Sequence, residues 1–151
     1  MKTPLVRTLY IISAFFLVIT GFGQMPIYKR YYLSSLPGLS WLADFYITHW
    51  LHYLFAAVLM GLAVYGLALL FLAFRKTRRP SISGMVRGII LAGIILTGIL
   101  LVFYNLPGSS FSQGSVIILD LAHMLFAMAF LVAGLVSVIR RQPWTRPRSQ
   151  R

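Results

Sequence analysis

The sequence contains no cysteine. That absence removes structural disulfides, thiolate metal sites, iron–sulfur clusters and covalent c-type haem attachment together. Acidic residues are almost as scarce, since Asp44 and Asp120 are the only two, against 14 Lys and Arg. Charged residues make up 11% of the 151, less than half the share of about 25% found in ordinary soluble domains, and 59% are hydrophobic. A chain so composed is an integral membrane protein. Four spans of about 20 residues use more than half of it, and the loops left over are too short for a separate soluble catalytic domain. Histidine is the one strong nitrogen ligand available, and there are three.

The formal net charge of +12 would suggest nucleic acid in a soluble protein. Here the basic residues gather in loops, where positive charge holds a loop on the cytoplasmic side. Four apolar runs stand out, at about 9–22, 45–74, 86–104 and 116–139. The first follows Lys2 and Arg7 like the core of a signal peptide, but no small-residue cleavage site follows it, so an uncleaved helix is expected. The expected fold is an all-α, four-helix transmembrane bundle forming a single membrane domain over 1–151. Arg75, Lys76, Arg78, Arg79 and Arg87 lie between the second run and the first residues of the third, and Arg140, Arg141, Arg146, Arg148 and Arg151 follow the fourth. The first loop, 23–44, offers only Lys29 and Arg30, and the third loop, 105–115, has no basic residue. Both termini are therefore expected in the cytoplasm. The first loop carries Tyr28, Tyr31, Tyr32, Trp41 and Pro37-Gly38, a composition suited to an interfacial cap on the outer face. Small residues four apart, Gly84 with Gly88 and Ala57 with Gly61, permit close helix packing.

His49, His52 and His123 all fall near the outer starts of the second and fourth spans, and so do both acids. Ionisable groups inside a span are costly and mark functional sites by default. The two spans also repeat one another: His52-Tyr53-Leu54-Phe55-Ala56 matches His123-Met124-Leu125-Phe126-Ala127 at four of five positions. With about 100° of rotation per residue, Ala56, Leu59, Ala63 and Gly66 lie beneath His52, and Ala127, Phe130, Gly134 and Ser137 beneath His123. Two histidines above small residues offer axial ligands and room for a flat macrocycle, whereas zinc calls for three or four clustered ligands. The same stripes would also let helices pack closely. One haem b held by His52 and His123, with Ala56 and Ala127 beneath it, is the expected cofactor. His49, one turn nearer the water, is expected to bond a haem propionate, exchange protons with Asp120, or replace His52 as ligand.

Thr48-His49-Trp50-Leu51-His52-Tyr53, Ala122-His123 and the four-span layout resemble the four-helix b-type cytochrome subunits of membrane-bound formate dehydrogenases and nickel–iron hydrogenases. The resemblance implies an inner (cytoplasmic) membrane subunit that passes electrons between a partner oxidoreductase and quinone. On it, His52 and His123 take the axial-ligand role. Those subunits generally carry two bis-histidine haems; here the first span has no histidine, so a mono-haem variant is expected. The redox partner would be a peripheral subunit, an outer-face cytochrome or an iron–sulfur protein. Lys29 and Arg30, the only cations of the outer loops, are candidates to neutralise the propionates, with an exposed loop pair as the plainer reading. Gln24, Tyr31, Tyr32, Tyr46 and Tyr53 could bond a quinone oxygen, though aromatic residues at an interface commonly serve as anchors. The competing class is a haem-free membrane anchor or assembly subunit. A transporter would place its polar groups nearer mid-membrane, and no nucleophile motif points to hydrolysis.

Overall fold

The computed structural model describes residues 4–73 and 76–148. The chain divides into two compact units, Met1–Leu72 and Ala73–Arg151. Each is built on one antiparallel pair of long helices, and each helix is long and apolar enough to cross a membrane. The multi-pass, all-α character read from the sequence is what the chain has.

In the first unit, α1 (Pro4–Gln24) pairs with α3 (Phe45–Ala68), which runs on through a π-helical turn at Leu69–Ala73. In the second, α4 (Ile82–Tyr104) pairs with α5 (Gln113–Ile139). At about 1.5 Å per residue, the shortest of these, the 21 residues of α1, spans about the 30 Å of a hydrocarbon layer. Three helices begin at side-chain caps. Asp44 accepts from the backbone N–H of Tyr46 and Ile47, Ser81 from Gly84, and Ser112 from Ser115. Pro4 opens α1, where its missing N–H costs nothing. The spans begin earlier than the apolar runs suggested, at Pro4, Ile82 and Gln113; the polar first turns of α4 and α5 form helix once Ser81 and Ser112 cap them.

Most of the buried residues along these helices are small: Ser13, Thr20, Thr48, Thr97 and Ser137, all 7% exposed or less, with Gly23 and Gly84, and Leu59 and Arg87 are the large exceptions. Large apolar side chains point outward along every span, the inverse of a water-soluble core and the pattern lipid requires.

Between α1 and α3 the chain forms a small cap: α2 (Pro26–Arg30), then 3₁₀ turns at Leu33–Ser35 and Ser40–Ala43. Tyr28, 1% exposed, donates its hydroxyl proton to the Leu39 carbonyl at 2.6 Å and closes the loop on itself. Leu42 packs so tightly on α1 that a Cβ at Gly23 would meet its carbonyl at 2.7 Å. Gly38, at φ +80°, makes the turn that Pro37-Gly38 announces.

The basic end of the second unit is also folded. β1 (Arg78–Pro80) pairs antiparallel with β2 (Thr145–Pro147), with Arg79 opposite Arg146. The Ser81 hydroxyl donates to the Pro143 carbonyl at 2.6 Å, and a Cβ at Gly84 would collide with the Trp144 carbonyl. The sequence suggested two loops serving only as topology signals. Instead the tail is stitched to the start of α4, and the lack of a side chain at Gly84 serves this seam rather than a helix crossing. Gly88 and Gly61 have nothing within 4 Å of where a Cβ would stand.

Candidate functional site: two histidine and threonine pairs

His52 on α3 faces α1. Its Nδ1 lies 3.0 Å from the Thr20 hydroxyl, and that hydroxyl lies 2.6 Å from the Phe16 carbonyl one turn back. A hydroxyl has one proton. The short, local contact to the carbonyl takes it, so the oxygen accepts from Nδ1–H, and the ring's lone pair is on Nε2. The ring's Cε1 edge rests over the adjacent residue, where a Cβ on Gly21 would stand 3.4 Å away.

The second unit repeats this arrangement. His123 Nδ1 on α5 lies 2.9 Å from the Thr97 hydroxyl, which donates to the Gly93 carbonyl at 2.8 Å. A Cβ on Gly98 would stand 3.3 Å from His123 Cε1. The correspondence continues one turn deeper: Phe55 stacks on Phe16 with centroids 4.4 Å apart, and Phe126 packs against Gly93. Thus Thr20-Gly21 corresponds to Thr97-Gly98, Phe16 to Gly93, and the His-x-Leu-Phe-Ala segment on α3 to the one on α5. The duplication suspected from five residues extends to both helices of each hairpin. Thr20 and Thr97, 0% and 7% exposed, were not among the sequence candidates, although the repeated Thr-Gly dipeptide was there to be read.

The stripes beneath the histidines serve in part as seams within their own hairpins. Leu59 is buried, and Ser137 is buried with its hydroxyl 2.9 Å from that of Ser83 on α4. Ala56 and Ala127 are half-buried.

His49 sits in a different setting. Its Nδ1 lies 3.2 Å from Gln24 Oε1, its Nε2 lies 2.7 Å from the Tyr53 hydroxyl, and its ring stacks on Phe45. Gln24 also donates to the Thr48 carbonyl at 3.4 Å, tying α1 to α3 above the His52 level. Of the five residues considered for a quinone, the structure therefore gathers Gln24 and Tyr53 around His49, while Tyr31, Tyr32 and Tyr46 are strongly exposed. The position matching His49 in the second unit is Asp120, which is exposed on α5. Asp44 is spent on capping α3. Arg30 is exposed on α2, and the Lys29 side chain lies outside the described residues. Among the described residues, no three His, Asp or Glu side chains come together as a protein-only metal cage.

Comparison of the chain with protein-family models, curated proteins and solved structures gives no match. The site is therefore read from its own chemistry.

Proposed function

We propose that this protein is a b-type cytochrome subunit of the cytoplasmic membrane, with His52 and His123 as the two axial ligands of one haem b, relaying electrons between a partner oxidoreductase and the quinone pool. The observation that carries the reading is the repeated histidine and threonine pair, one in each hairpin. Axial imidazoles need a lone pair on one nitrogen and a second group holding the other, and the threonine hydroxyls supply that second group at Nδ1. One ligand from each of two equivalent hairpins suits bis-imidazole iron and does not suit zinc, which takes three or four protein ligands. A haem so held supplies a one-electron couple within the membrane. The chain's own contribution is to fix the ring tautomers, to orient both imidazoles through Thr20 and Thr97, and to surround them with apolar helices.

His49 is the weaker ligand candidate, because the matching position in the second unit is held by Asp120 and not by a histidine. Its contacts with Gln24 and Tyr53 suit proton exchange at a quinone better than ligation. Lys29 and Arg30 remain the outer-loop cations available to propionates. The partner, a peripheral redox protein, and the quinone follow from the resemblance in sequence pattern.

The deciding experiment is an absorption spectrum of the purified protein before and after dithionite, with haem quantified as the pyridine complex. The expected result is a low-spin bis-imidazole spectrum at one haem per chain, lost in His52→Ala and in His123→Ala and kept in His49→Ala. A protein that stays colourless after expression with ample haem would overturn this reading in favour of a haem-free anchor subunit.

A further inference from the structure

Arg87 stands in the second turn of α4, inside a span, and is 6% exposed. Its Nε donates to the Ser83 carbonyl at 3.2 Å and its Nη2 to the Gln142 carbonyl at 3.3 Å, while the guanidinium lies 4.1 Å over the Trp144 ring. A cation at this depth is expensive and needs a purpose. It lines an open cleft of about 380 Å³ whose polar end is formed by Arg87, Gln142 and Arg146. Arg146 is brought there by the β1 and β2 register, which also puts Arg78 and Arg79 on the same strand pair. The walls toward the spans are Ile82, Val86 and Val136, all at least 40% exposed on outward faces.

We propose that this cleft binds an anionic phospholipid, its phosphate on Arg87 and Arg146 and an acyl chain along Ile82, Val86 and Val136. The cleft has the polarity of such a molecule: a cationic head end and apolar walls continuous with the lipid-facing surface. Guanidinium forks match phosphate oxygens in geometry and charge. A zwitterionic lipid offers the same phosphate but brings its own cation against the arginines of the strand pair, which sets the preference for net negative lipid. This proposal is independent of the haem reading, because the residues lie at the far end of α4 and α5 from Thr97 and His123.

Trp144 supplies the reporter. The full chain carrying Trp41→Phe and Trp50→Phe, which leaves Trp144 as its one tryptophan, is reconstituted with phosphatidylglycerol or phosphatidylcholine brominated in the acyl chains. Trp144 quenching should reach half its maximum at about tenfold lower mole fraction of phosphatidylglycerol, the preference expected from one charge-assisted contact. Arg146→Gln changes an exposed side chain, so the fold is kept, and it should abolish the preference. Arg140→Gln with Arg141→Gln removes basic charge outside the cleft and should retain it. Equal quenching by both lipids would overturn the proposal, as would equal loss in the control, which would mean diffuse surface charge. Loss of the preference in millimolar inorganic phosphate with unchanged phosphatidylcholine quenching would assign the site to free phosphate and overturn the lipid.

Discussion

The Thr20 hydroxyl bridges two helices, accepting from His52 Nδ1 at 3.0 Å while giving its proton to the Phe16 carbonyl at 2.6 Å. Thr97 does the same for His123, giving its own proton to the Gly93 carbonyl. In apolar surroundings such a bond settles which nitrogen carries the proton, and so which one carries the lone pair. Nitrogen-15 spectra of histidine-labelled protein without haem should show both rings with the proton on Nδ1. Thr20→Val and Thr97→Val preserve shape, remove the acceptor, and leave a buried N–H that costs about 1–3 kcal/mol. With haem bound, a ring that no longer donates from Nδ1 is a weaker donor to ferric iron, so the midpoint potential should rise. A difference of about 1 kcal/mol between oxidation states corresponds to roughly 40 mV. A fall in potential, or rings with the proton on Nε2, would defeat this account.

The four spans and the repeated histidine segments were legible because both depend on local pattern: long apolar runs and a short match between two of them. The threonines were not. A threonine in an apolar helix bonds its own i−4 carbonyl wherever it points, so Thr20 and Thr97 look ordinary until the neighbouring helix is seen. The folded basic end was hidden for another reason. Arg78-Arg79-Pro80 and Thr145-Arg146-Pro147 read as charge for topology, and 65 or more residues separate the two strands, so no local signal joins them.

His49 should be separable from the ligands. His49→Ala and Tyr53→Phe break the contacts at 2.7 and 3.2 Å around His49 yet leave the Thr20 and His52 pair in place. Both variants should keep one haem per chain with an unchanged low-spin spectrum. Electron transfer to an added quinone analogue should slow in both, if His49 and Tyr53 carry the proton. Equal quinone reduction rates in the variants and the parent would leave the cluster a packing feature.

Replacing Lys29 and Arg30 by Gln together should lower the haem midpoint, since removing positive charge disfavours the more negative reduced state. Arg30 is exposed, so screening makes the shift small and strongest at low salt. A redox titration at low and high ionic strength measures both features. A salt-independent potential identical to that of the parent would reduce the pair to loop charges.

Orientation follows from the uneven basic residues and is open to direct labelling. Single cysteines placed at Ser109 and at Ser149, in a chain with none of its own, give one reporter for each side. An impermeant thiol reagent on intact cells should mark Ser109→Cys and spare Ser149→Cys. The reverse pattern would invert the protein in the membrane.

Gly84 and Gly88 provide a comparison in which two physical effects oppose each other. On helix propensity alone, Gly→Ala stabilises a helix interior by about 1 kcal/mol. At Gly88 nothing stands within 4 Å of the added methyl, so Gly88→Ala should be neutral to stabilising. At Gly84 the methyl meets the Trp144 backbone, which is held by the Ser81 N–H at 3.0 Å and lies next to the Pro143 carbonyl bonded to the Ser81 hydroxyl. Relieving the collision means undocking the tail. That loses at least these two bonds, at about 1 kcal/mol each, together with the Arg87 contact on Trp144. Gly84→Ala should therefore come out net destabilising by about 1–2 kcal/mol despite its better propensity. Trypsin should then cut after Arg148 faster than in the parent, and Trp144 emission should shift to the red. A Gly84→Ala protein as stable as Gly88→Ala, with its tail equally protected, would mean that the strand pair does not hold the tail to α4.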